Sequence, residues 1–85
     1  MSNFEKAIEK LLDSKSIISF RELEFILTHF GYIEKKTGKT SGSRIAFINM
    51  KSNHIIRLHK PHPSNEIKKY VKNAILEELI KQKLI

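Results

Sequence analysis

A small α+β domain is what this 85-residue sequence predicts: two helices, a three-stranded antiparallel sheet and a closing helix, with the helices on one face of the sheet. Three observations lead there. Apolar residues recur at helical spacing before Gly31 and again after Ser64. Between those stretches the apolar period drops to two, in short runs rich in β-formers. The runs are joined by connections too short for a parallel crossover, so the strands form a meander.

The first helix is expected over residues 3–13, where Phe4, Ala7, Ile8, Leu11 and Leu12 fall on one stripe and Ser2 with Glu5 has the pattern of a capping box. The linker Asp13-Ser14-Lys15-Ser16 follows. Ser19 and Glu22 form a second capping-box pattern, with Ile18 and Leu23 placed as a hydrophobic staple. Leu23, Ile26, Leu27 and Phe30 give that helix its buried stripe, and Gly31 ends it because glycine tolerates the left-handed conformation. Strands are expected at Tyr32–Lys36, Arg44–Asn49 and His54–His59, with a loop over 37–43 and a turn over Met50–Asn53. In the third strand His54, Ile56 and Leu58 share one face, and Ile55, Arg57 and His59 the other. Pro61 and Pro63 end the sheet, since neither can donate to a ladder. Ser64 or Asn65 can then cap a last helix running to about residue 82, with Ile67, Val71, Ala74, Ile75 and Leu79 inward and Tyr70 at the stripe's edge.

A chain this short makes one domain, residues 1–85. It has no cysteine, which excludes disulfides and thiolate metal sites and suits a reducing cytoplasm. Glu5, Lys6, Glu9 and Lys10 interrupt any signal-peptide core. No apolar run approaches the roughly 20 residues that span a bilayer. A cytoplasmic protein with no membrane partner is therefore expected.

The net charge of +7 is unevenly placed. Residues 1–34 carry four cations against six acids, and residues 73–85 balance, whereas residues 35–72 carry ten cations against Glu66 alone. A basic segment of this kind favours a polyanion, of which nucleic acid is the commonest. A solubilising lysine-rich surface is the plainer alternative.

Several chemistries find no support. Gly38 and Gly42 are not followed by the Gly-Lys-Ser/Thr of a P-loop. His54, His59 and His62 lack an acidic or thiolate companion, so no metal and no cofactor is expected. A carboxylate pair for acid–base work is missing from the basic segment. What remains is the cluster Arg57, His59, Lys60 and His62. Phosphodiester cleavage without a metal needs a base for the ribose 2′-hydroxyl, an acid for the leaving oxygen and cations for the charge that develops on phosphorus. Histidine, with a pKa of about 6.5, suits the proton transfers, and arginine and lysine suit the charge. Alternatively His62, between two prolines, is a turn residue whose ring bonds a backbone carbonyl.

"ISFRELEFILTHFGY", "SGSRIAF" and "LHKPHPSNEIKKYVKNAIL", in that order and spacing, resemble the HicA toxins of bacterial toxin–antitoxin pairs. The resemblance covers roughly residues 17–80, and the additional N-terminal helix is similar to one in longer members. It implies a fold like the double-stranded-RNA-binding domain, metal-independent cleavage of mRNA that arrests translation, and neutralisation by a HicB-like antitoxin. Family members carry a catalytic histidine directly after a Gly-Ser pair. Gly42 and Ser43 match that pair, but Arg44 stands at the histidine position, and an arginine stays protonated far above neutral pH, which rules out a base there.

Three accounts follow. The protein binds RNA without cutting it; it cuts with His59 or His62 while Arg44 stabilises charge; or the motif aligns differently. Candidate catalytic residues are thus Arg44, His59 and His62. Candidate RNA contacts are Lys35, Lys36, Lys39, Gly42, Ser43, Arg57, Lys60, Lys68 and Lys69. Docking of the basic face on an acidic protein, with no nucleic-acid role, is the third reading beside toxin and inert RNA-binding module.

Overall fold

The computed structural model describes residues 3–36, 44–59 and 65–85. Its elements run α1 (Asn3–Leu12), α2 (Phe20–His29), β1 (Tyr32–Lys36), β2 (Arg44–Asn49), β3 (Ile55–His59) and α3 (Lys69–Lys81). The strands form an antiparallel sheet in the order β1-β2-β3. The α+β class and the order α-α-β-β-β-α are those the sequence predicts.

Local chemistry explains most boundaries. Ser19 accepts the Glu22 amide at 3.1 Å while Glu22 accepts the Ser19 amide at 3.0 Å, the reciprocal capping box. Gly31 closes the helix at a φ of 96°, and its amide donates to the Thr28 carbonyl. At the β2–β3 turn the Asn49 side-chain oxygen accepts the amides of Lys51 and Ser52, and Asn53 takes a left-handed φ of 62°.

One sheet face is the core. Ile45, Phe47, Ile56, Leu58 and Tyr32 are buried there, joined by Leu23, Ile26 and Leu27 of α2 and Ile75 and Leu79 of α3. α2 packs toward β1 and α3 toward β3, while α1 contacts both helices, α2 more than α3. Aromatic rings hold its start: Phe4 stacks on His29 at 3.6 Å and meets Phe30 edge-on at 5.5 Å.

The last helix departs from expectation at its start. Ser64 lies outside the described residues, and Asn65 does not cap: its carbonyl accepts the Phe20 amide at 2.6 Å. The segment continues extended, with Glu66 bridged to Ser19 and the Ile67 amide donating to Ile18 at 2.8 Å. Amides and carbonyls at the approach to α2 need partners, and this segment supplies them. The helix therefore starts later, with Lys68 at the N-cap position and no side-chain cap. Its buried stripe is also rotated. Ala74 is exposed and Tyr70 is 71% exposed, while Lys72 is 2% exposed.

Three carboxyls are held below their ordinary values of 3.8 for Asp and 4.5 for Glu. Asp13 accepts the Lys15 amide and the Ser16 hydroxyl. Burial pushes Glu22 up, but Lys10, at 2.7 Å, together with Ser19 outweighs it. Glu78 is lowered chiefly by its hydrogen bond with His54. Protonating any of them favours the unfolded chain, so their stabilisation is present above the unfolded pKa and is lost as pH falls through the lower folded values. The melting temperature is expected to drop between about pH 5 and about pH 3. Glu78→Gln should flatten part of that slope, and an unchanged slope would remove the Glu78–His54 hydrogen bond from the balance.

Candidate functional site

Antiparallel register decides which basic residues become neighbours. Ala46 of β2 lies opposite Lys35 on one side and Arg57 on the other. Strands sit about 4.8 Å apart, which places the Lys35 and Arg57 backbones roughly 10 Å from each other across the face that the helices leave open. Both side chains are exposed, and Ala46 between them is 3% exposed. At the next open-face step Arg44, the first residue of β2, is opposite His59, the last of β3. The sheet thus ends in two adjacent rows that hold Lys35, Arg57, His59 and the backbone of Arg44. His59 is exposed, a placement suited to a group that meets a large ligand.

Other predicted residues are placed differently. Lys36 belongs to β1, opposite Ile45. Lys68 and Lys69 are exposed at the start of α3, on the helical side of the sheet. They stand at the positive end of the helix dipole with no acidic residue in the first turn, so an anion there would relieve both. Lys39, Gly42, Ser43, Lys60 and His62 lie outside the described residues.

Sequence reasoning missed two polar devices. His54 links sheet to helix: Nε2 lies 2.9 Å from Glu78 Oε1, and Nδ1 lies 2.7 Å from the Tyr32 hydroxyl. A carboxylate only accepts, so Nε2–H donates to Glu78, and in the neutral ring Nδ1 accepts from Tyr32. Burial raises the Tyr32 hydroxyl above its usual pKa, consistent with a retained proton. The second device is Lys72, whose ammonium donates to the carbonyls of Asp13 and Ser16. Both fasten the structure rather than face the open sheet. Among the described residues, no group of three or more His, Asp or Glu is placed to hold a metal ion.

A helix, three antiparallel strands and a helix, with a cationic sheet end and an outer N-terminal helix, define a small basic α+β protein. Residues 20–82 match the sequence model described as HicA toxin of bacterial toxin-antitoxin, and the chain belongs to that family. It is accordingly the toxin component of a toxin–antitoxin system, a role that implies an antitoxin partner; toxins of this family are generally mRNA-cleaving. α1 lies outside the matched span. Comparison with curated proteins and with solved structures gives no match. Among the described residues no helix is long and apolar enough to cross a membrane.

Proposed function

We propose that the protein binds mRNA at the cationic end of the sheet and cleaves it without a metal, arresting translation until a HicB-like antitoxin neutralises it. The observation that carries this reading is the register that sets Arg44 against His59 one row beyond Lys35 and Arg57. Those rows gather a proton-transfer group and phosphate-binding cations at one place. In the reaction a histidine takes the 2′-hydroxyl proton, and the 2′-oxygen bonds to the adjacent phosphorus. The bond to the 5′-oxygen breaks, and that oxygen receives a proton. His59 and His62 are the candidates for these transfers. Arg44, Arg57 and Lys60 offset the charge on the phosphoryl oxygens. Lys35, Lys36, Lys39, Lys68 and Lys69, with the Gly42-Ser43 backbone, hold flanking phosphates.

RNA integrity after induced expression of the wild type beside Arg44→His tests the reading. Degradation by the wild type supports cleavage with Arg44 in place. Arg44 also favours a second reading, an RNA-binding protein that does not cut, because a permanently charged guanidinium accepts no proton. Cleavage by Arg44→His alone would select it, and cleavage by neither would overturn the proposed placement of the reactive position.

Either reading requires phosphate contacts. Affinity for RNA is expected to fall with salt, each neutralised phosphate adding roughly 0.7–0.9 to the log–log slope. An affinity indifferent to salt, measured by fluorescence anisotropy, would exclude both.

A further inference from the structure

At the end of the sheet away from Arg44 and His59, three separate pieces of chain enclose a cleft of about 390 Å³. At the usual antiparallel rise, β2 runs roughly 17 Å from Arg44 to Asn49, so the cleft is distinct from the cationic rows. Each wall is fixed by its own chemistry. The first is the end of α2, His29 and Phe30. Phe4 stacks on His29 at 3.6 Å and meets Phe30 edge-on, so α1, the helix outside the family span, braces this wall. The second is the β2–β3 turn, where Lys51 and Ser52 are exposed. Asn49, 4% exposed, ties it to the first: Nδ2 donates to the Phe30 carbonyl, while Oδ1 accepts the Lys51 and Ser52 amides. The third is the turn after α3. There the Lys83 amide donates to Ile80 and the Leu84 amide to Leu79, with Lys83 left-handed at a φ of 60°. This is the Schellman pattern, and it lets Leu84 pack against the core and line the cleft with Gln82.

The lining is particular in kind. Phe30 and Leu84 offer half-buried apolar surface, and His29 a flat ring. Gln82 brings an amide that both donates and accepts, and Ser52 a hydroxyl. Lys51 adds a positive charge; among the described residues it forms no ion pair, and no Asp or Glu lines the cleft. Rings of His and Phe are stacking surfaces for bases, and an amide can pair with a base edge. An ammonium beside a hydroxyl suits a phosphate. A bare anion would use only Lys51 and Ser52, and an apolar ligand only Phe30 and Leu84.

We propose that this cleft binds one nucleotide, its base against His29 and Phe30 with Gln82 at the base edge, and its phosphate on Lys51 and Ser52. The nucleotide is either free in solution or one unpaired residue of an RNA strand, since the recognising chemistry is the same. Occupancy of the cleft does not depend on cleavage.

The test titrates the full chain, followed by NMR amide shifts, with the ribonucleoside 5′-monophosphates, with inorganic phosphate, and with a single-stranded RNA oligomer. The oligomer carries 2′-methoxy groups and cannot be cut through its 2′-oxygen, so failure of the nuclease reading does not touch the result. At least one monophosphate is expected to bind and to shift the amides of Phe30, Ser52 and Leu84. Its affinity should fall about tenfold or more in Lys51→Ala/Gln82→Ala. Both positions are exposed, so circular dichroism should show an unchanged fold. Lys6→Ala, which removes an exposed lysine of α1 that does not line the cleft, should bind as the wild type does. If the double variant also binds the oligomer more weakly, the occupant is a residue of RNA; if it does not, the occupant is a free nucleotide. Absence of binding by every monophosphate, or equal affinity in the double variant, would overturn the site. Inorganic phosphate binding as tightly as the nucleotide would overturn the ligand class.

Discussion

Replacing Lys72 with Met is expected to lower the stability by about 2–3 kcal/mol. Methionine retains most of the buried stem, so packing is nearly conserved and the change isolates the ammonium. Two effects oppose each other. Removing a charge from a site that is 2% exposed relieves its desolvation cost. Against that, the Asp13 and Ser16 carbonyls lose their charged donor. Hydrogen bonds to charged groups contribute about 1.5–3 kcal/mol each, and Asp13 is exposed enough for water to recover part of the loss. The loss of two such bonds wins. Urea unfolding measures the result, and a midpoint equal to the wild type's would mean that desolvation relief cancels the lost bonds.

The largest expected effect on activity is at His59. If its ring transfers a proton, His59→Ala lowers RNA cleavage by about 10²–10⁴-fold. The side chain is exposed and at a strand end, so the substitution should leave the fold intact. Arg57→Ala, in the adjacent row, should instead weaken RNA binding with a smaller salt slope. Undiminished cleavage by His59→Ala would assign the proton transfers to His62, which His62→Ala then tests by loss of growth arrest.

Features governed by near neighbours in the chain were readable before folding. Ser19 and Glu22 are three residues apart, Gly31 directly follows the stripe of α2, and the alternation of Ile56 and Leu58 with Arg57 needs no partner to be seen. The start of α3 was misread because Asn65 and Ile67 serve backbone groups of Phe20 and Ile18, more than forty positions earlier in the chain. In the sequence Lys72 is only one of the ten cations of residues 35–72, because the partners that set it apart are 59 and 56 residues away. The candidate site divides in the same way. Composition singled out Lys35, Arg57 and His59, but that Lys35 and Arg57 flank one alanine depends on register, which a single sequence does not display.

The Lys72 contact also carries a consequence for the order in which the molecule is completed. The strands of the meander pair with near neighbours in the chain, whereas the linker after α1 is fastened by a residue of α3 that lies 59 positions beyond its carbonyl partner at Asp13. A contact of that span closes a long loop and forms late relative to local ones. On the ribosome α1 can seat on α2 once both have emerged, through the Phe4 ring contacts and the Lys10–Glu22 pair. The linker after it is completed only when Lys72 arrives, and a nascent chain that stops short of Lys72 leaves the Asp13 and Ser16 carbonyls without that donor.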